Sequence, residues 1–416
     1  MARDQLHSRG VRFGMSGDQT SVATQRTSSS RQPGRALGVL IVLFALGVAS
    51  LIYGRGNEGA QADVGLLIVS FLFLMGVSQT GVVFCAITRL VGAQWAKPYY
   101  RLAELSTMAF FPFALVGVLL IYFYADEDLF YWLSPSPEEH LSPWLNLNWL
   151  LIRSLFGLTL FYGLSALYVV TGLKPDLARS EGNNIDHRKV EGQLYALSPL
   201  VILGFIVCNT LFSWDFGMML IPHWHSTVFP IFFWFGNLFA GTAALIIFPA
   251  VLGASSGSGS HFGPDQVRNL GMMVTAFTLL WLYFFWAQFF VIWFGNLPHE
   301  TAPLWRQMYG HYSPYYWTMM AGCFFVPFVA FIFAFVKRSL LAMCTVAFGI
   351  NLGIWLSKYL MVVPVLSPDD RPFSSWLDVS VAVGLAAGFL AVVIVLANRL
   401  PMYSHWELAL KPEPKR

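Results

Sequence analysis

Residues Trp281–Thr301 read WLYFFWAQFFVIWFGNLPHET. With the apolar residues before it, this run fills positions 269–295, long enough to cross the hydrocarbon core of a bilayer as a helix. One amide, Gln288, lies inside it, and it breaks into Asn296, Pro298, His299 and Glu300. A helix that only anchors a protein needs none of these groups, because each uncompensated one costs free energy in hydrocarbon. The stretch therefore reads as a transmembrane helix that ends in a site.

The rest of the chain is of the same kind. Of its 416 residues 56% are hydrophobic, 16% aromatic and only 11% charged, and the mean hydropathy is +0.59. A soluble fold of that composition would have nowhere to put its apolar surface. Apolar runs of membrane-crossing length lie at about 36–54, 64–88, 103–125, 145–172, 193–214, 227–252, 269–295, 315–336, 340–363 and 376–398. The expected fold is an all-α integral membrane protein of ten transmembrane helices.

Orientation follows from the cations. Most of the 25 Lys and Arg fall on one side: the N-terminal tail, the 89–101 and 174–189 loops, Arg268, Lys337 with Arg338, and the chain after span ten. The opposite side collects acids, among them Asp126, Glu127, Asp128, Glu138 and Glu139. The positive-inside rule puts both termini in the cytoplasm, of a bacterial inner membrane on the resemblance given below, and an even number of spans agrees. The net charge of +3 then reflects topology and not nucleic-acid binding. Residues 1–35, rich in Arg, Ser, Thr and Gln, read as a disordered cytoplasmic tail, 36–400 as the membrane domain, and 401–416 as a cytoplasmic C-terminal tail. The remaining segments are too short to fold alone, so any catalytic domain belongs to a partner.

Gly and Ala in spans two, five, six and ten suit close helix packing, and Pro112, Pro199, Pro230, Pro249 and Pro327 predict kinks. Cys85, Cys208, Cys323 and Cys344 stand singly, with no CxxCH for covalent haem and no set for an iron–sulfur cluster. All nine histidines fall in loops or at span ends, unlike the axial ligands of a haem b subunit, and no glycine-rich nucleotide motif occurs. The expected count is no covalently bound cofactor and no metal.

Two polar constellations remain, both on the acidic side. The first is Ser213–Thr227, SWDFGMMLIPHWHST, where Asp215, His223 and His225 flank the turn between spans five and six, with Trp224 beside them. An interfacial belt with Ser226 or Thr227 capping span six is the alternative reading. The second is the opening stretch, with Gln288 near mid-span, Trp281, Trp286 and Trp293 along the helix, and His299 and Glu300 beyond the break. Aromatic walls with an amide and a carboxylate at the mouth suit a flat amphiphilic ring such as a quinone. An aromatic helix packed in a bundle, with Gln288 bonding a neighbour, is the plainer reading.

Buried charge adds to this. Arg153, about eight residues into span four, needs Asp215 or another acceptor at that depth. Glu104 and Lys358 read as ends that pair or snorkel, Glu104 with Arg101 or Lys97.

These two segments resemble a known family. FFWAQFFVIWFGNLPHET and SWDFGMMLIPHWHST are similar to paired motifs of ActF-type membrane subunits of alternative complex III, a quinol:cytochrome c oxidoreductase, within the superfamily of NrfD and the polysulfide-reductase subunit PsrC. Asp215, Pro222, His223, Trp224, Ser226, Thr227, Gln288, Asn296, Pro298, Glu300 and Thr301 match, whereas position 225 is His where an aromatic is expected. The resemblance implies two four-helix bundles, spans two to five and six to nine, flanked by spans one and ten. It implies partners: an iron–sulfur subunit, multihaem and monohaem c-type cytochromes, a related NrfD-like membrane subunit and, in some complexes, a terminal oxidase. It implies menaquinol or ubiquinol as substrate of the complex, oxidised at the outer face, with the working quinol site in this subunit or, the stronger candidate, in its relative, which would leave this one a structural or proton-conducting partner. Two function classes are thus carried forward: a respiratory quinol-oxidising subunit, or the anchor of another NrfD-type reductase or hydrogenase; and a secondary transporter with a midplane site. The transporter fits less well, because the polar clusters gather at one edge with Gln288 nearly alone in the middle.

Overall fold

The computed structural model describes residues 33–54, 60–125, 127, 129–134, 142–180, 185–222, 224–252, 262–296, 298–366 and 376–410. Its elements in order are α1 (Pro33–Gly54), α2 (Ala60–Leu90), α3 (Lys97–Phe123), α4 (Leu147–Ser180), α5 (His187–Asp215), α6 (Phe229–Val251), α7 (Pro264–Gly295), α8 (Pro298–Met308), α9 (Ser313–Met320), α10 (Val326–Ile332), α11 (Ala334–Arg338), α12 (Leu340–Leu366), α13 (Trp376–Arg399) and α14 (His405–Ala409). A π-helical turn, Ala321–Phe325, joins α9 to α10. No strand occurs among the described residues, and ten helical segments are long and apolar enough to cross a membrane. The chain is an all-α, multi-pass membrane protein.

Helix packing follows a simple plan. Helices α2, α3, α4 and α5 contact one another in a ring, and α6, α7, the α9–α10 segment and α12 form a second ring. The rings meet where α2 lies against α6 and α12, while α1 and α13 pair and lie against α2 and α3. Burial reflects these places. The most apolar window of α2 is 94% buried and that of α1 only 17%. A helix apolar all round is expected at a core, and one with an open flank faces lipid.

Small residues make the crossings possible. A Cβ at Gly384 of α13 would lie 2.6 Å from the Gly47 Cα of α1, and one at Gly241 of α6 would strike the Thr80 side chain of α2. Where α3 crosses α2 at Gly81, Thr107 Oγ1 donates to the Ser78 carbonyl and accepts from the Val82 N–H. Those are the two groups an uninterrupted helix would pair with each other, so α3 is stitched into the ladder of α2.

The interior between the bundles is more polar than the sequence suggested. Asn209 of α5 donates to Gln79 of α2 at 2.7 Å, Asn237 of α6 donates to Asn209 at 2.6 Å, and Thr80 donates to the Asn237 carbonyl at 2.9 Å. All four side chains are fully buried. The expectation that Gln288 stands nearly alone in the middle is therefore corrected: amides on three other helices occupy the interior, and Gln288 sits two turns from the end of α7. Being bonded to one another, the interior amides act as glue in a medium without water.

Further corrections concern prolines and charges. Pro230 lies in the first turn of α6, where a missing N–H costs nothing, so it does not kink that helix. Pro327 starts α10 directly after the π turn, so in span eight the π turn is the irregular element. Lys358 does not snorkel and pairs with no acid among the described residues: it is 4% exposed and its Nζ lies 3.0 Å from the Phe233 ring centroid. Glu104 does pair with Arg101, at 2.7 Å. Cys85, Cys208 and Cys323 are buried free thiols.

Candidate functional site

The site lies where α5 ends, α6 begins and α7 stops, opposite the face at which α1 begins and α13 ends, the termini face. Asn296 ends α7 in the left-handed region, φ 45° and ψ 39°, its N–H still bonded to the Ile292 carbonyl. Asn tolerates that conformation better than most side chains. The chain thus turns sharply and Pro298 opens α8, whose first turn carries Glu300, a favourable end of the helix for a carboxylate. The sequence announced the break at 296–298 but not the helix after it.

A cavity of about 580 Å³ opens between these elements, lined by Trp214, Met218, His225, Ser226, Thr227, Val228, Pro230, Gln288, Val291, Ile292 and Glu300. Both sequence constellations contribute to it, joined by one bond: Ser226 Oγ donates to Gln288 Oε1 at 2.7 Å. The same hydroxyl accepts from the Phe229 N–H at 3.2 Å in the first turn of α6. With its carbonyl oxygen occupied, the Gln288 amide keeps its N–H donors for the cavity. The arrangement offers an apolar slot, a donor on one wall, and His225 and Glu300 as groups that can accept a proton.

Asp215 and Arg153 meet as expected but do not line the cavity. Arg153 Nε lies 2.9 and 2.8 Å from the two Asp215 carboxylate oxygens, and Nη2 lies 2.7 Å from Oδ1. Trp144 closes the cluster: its carbonyl accepts from Arg153 at 2.8 Å, its indole N–H donates to Asp215 at 3.3 Å, and the guanidinium sits 4.4 Å from its ring. Trp144 also meets Trp214 edge-on at 5.8 Å. The ion pair therefore holds the end of α5 and, through Trp144, a wall of the cavity.

The other candidates divide. Trp224 packs edge-on against Phe229 at 5.1 Å, and Trp293 is 54% exposed on the outside of α7; neither lines the cavity. His223 and the side chain of His299 lie outside the described residues. Trp214 was missed by sequence reasoning, although it directly precedes Asp215 at a span end. Val228, Pro230, Val291 and Ile292 are ordinary apolar residues whose role only the turn geometry reveals.

No family model matches the chain. A curated protein of Nitratidesulfovibrio vulgaris, described simply as "Protein", is 22% identical over 234 residues, which is 52% of this chain and 58% of that protein. The match thus spans a little over half of the relative's length and names no activity.

Proposed function

We propose that this chain is a membrane subunit of a respiratory quinol:cytochrome c oxidoreductase of the alternative complex III type, with a quinol-sized site at its outer face. The observation that carries the reading is the convergence of the two motif segments, 213–227 and 281–301, on one cavity of about 580 Å³, within the range of small-ligand sites. A quinol ring fits its chemistry. Its flat apolar body suits the Trp214, Val291 and Ile292 walls, one oxygen accepts from the Gln288 amide, and the other hydroxyl faces His225 and Glu300 at the mouth. Both residues can take a proton as the ring is oxidised. In this reading the termini face is cytoplasmic, and electrons leave to the iron–sulfur and c-type haem subunits of the complex. A cavity holding a single ring in this way serves equally in the anchor of another NrfD-type reductase or hydrogenase; the partners distinguish the two.

The test is purification in mild detergent through a tag on this chain, with haem staining and mass spectrometry of what accompanies it. Copurified c-type cytochromes and an iron–sulfur subunit are expected, together with lowered quinol oxidation in an intact complex carrying Glu300→Gln. An iron–sulfur partner without cytochrome c points to the reductase or hydrogenase reading. A lone polypeptide contradicts both.

A further inference from the structure

We propose that residues 403–410 form a strap that seals a buried ionic cluster in the first helix bundle from the termini face. Sequence composition marks this segment as a tail, yet it is among the better buried parts of the chain. Ser404, Trp406 and Glu407 are 1%, 3% and 2% exposed.

Its contacts reach every helix of that bundle. The Trp406 indole N–H donates to the Gly172 carbonyl of α4 at 3.0 Å, and its ring lies 5.8 Å from that of His187 on α5. Glu407 accepts from Arg89 of α2, which also bonds Glu191 of α5 and the Tyr168 hydroxyl of α4. Lys97 of α3 donates to the Leu410 carbonyl at 2.9 Å, and Tyr403 packs on Phe262 at 5.6 Å, ahead of α7. A short solvated tail has no reason to place a carboxylate and an indole at such depth, since burial costs free energy unless every group is matched. Here they are matched, by a guanidinium and a carbonyl.

Behind the strap lies a second cluster. Arg101 bonds Glu104 and Asp176, both at 2.7 Å, and shares the Gly172 carbonyl with Trp406. Arg101 Nε and Glu104 Oε1 are buried with no partner among the described residues. The strap is what divides this cluster from bulk solvent. Removing it uncovers Arg89, Gly172 and the carboxylates behind them. This inference does not depend on the quinol reading.

The experiment uses the full chain with its four cysteines replaced by Ala and a probe introduced as Gly172→Cys, a position where a Cβ meets only the movable ends of the Glu104 and Leu194 side chains. A membrane-impermeant maleimide is applied to the termini face of oriented vesicles. Labelling is expected to be slow in the full chain and about tenfold faster or more when residues 403–416 are deleted, as for any locally opened segment. Trp406→Ala should fall between. A synthetic peptide of residues 403–416 added in trans should restore protection, which separates uncovering from misfolding. Equal rates with and without the strap, or a rise the peptide does not reverse, overturn the proposal. Hydrogen exchange of residues 165–180 in the natural chain and in Trp406→Ala supplies a second reading without cysteine changes: faster exchange is expected in the variant, and unchanged exchange contradicts the strap.

Discussion

At the scale of single residues, the decisive feature beside the cavity is that a buried charge is held by its opposite. Arg153 and Asp215 are 8% and 1% exposed, so removing one leaves the other charged and unpaired in an apolar surround. Asp215→Ala is expected to destabilise the protein by about 3 kcal/mol or more, seen as a lower unfolding temperature in detergent. The double variant Arg153→Leu with Asp215→Leu should recover much of that loss; if it is worse than the single change, the pair does more than neutralise itself. Ser226 gives a subtler case. Ser226→Ala frees the Gln288 carbonyl oxygen and the orientation of its amide, a loss of about 1 kcal/mol of hydrogen bonding. Within the proposed function it should raise KM for quinol several-fold with kcat and unfolding temperature little changed. A fall in kcat at constant KM contradicts the positioning role. The sequence showed the partners Arg153 and Asp215 because a charge at that depth demands an acceptor, but not Ser226 with Gln288, which lie equally far apart in the chain and, being neutral, have many alternative partners until the fold sets which groups face.

Elements were the most legible level. Hydrophobic length located all ten spans, with ends displaced wherever polar residues extend a helix past the hydrocarbon, as at Lys97 in α3 and His187 in α5. It could not show the π turn at Ala321–Phe325, which has no composition of its own, nor α8, whose polar residues read as loop. Helix contacts lead to two predictions. Gly241→Leu should destabilise by about 1–3 kcal/mol through overpacking at the α2–α6 crossing, whereas Gly163→Ala, with nothing within 4 Å of its Cβ, should be neutral or stabilising. Equal effects in thermal unfolding would mean that the crossing is looser than its geometry implies. Asn296→Gly should preserve the turn from α7 into α8, while Asn296→Val should cost about 1–2 kcal/mol because a β-branched residue resists the left-handed region.

For the whole molecule, two rings of four helices joined along α2, α6 and α12 agree with the arrangement the family resemblance implies. The interior amides at their seam, Gln79, Asn209 and Asn237, went unread as single polar letters in apolar runs, because their pairing needs the crossing of α2, α5 and α6. The sequence likewise led to a free C-terminal tail where the fold has a docked segment, because burial of Trp406 and Glu407 depends on Gly172 and Arg89, both more than 200 residues earlier. In the proposed function the cavity between the ends of α5 and α7 takes a quinol. A photoreactive quinone crosslinked to the purified complex, with the labelled peptides read by mass spectrometry, tests it most directly. Label is expected within Trp214–Pro230 and Gln288–Glu300, competed by excess quinol and lost in Gln288→Leu; label confined to other helices, or unaffected by competition, rules out a quinol in this cavity.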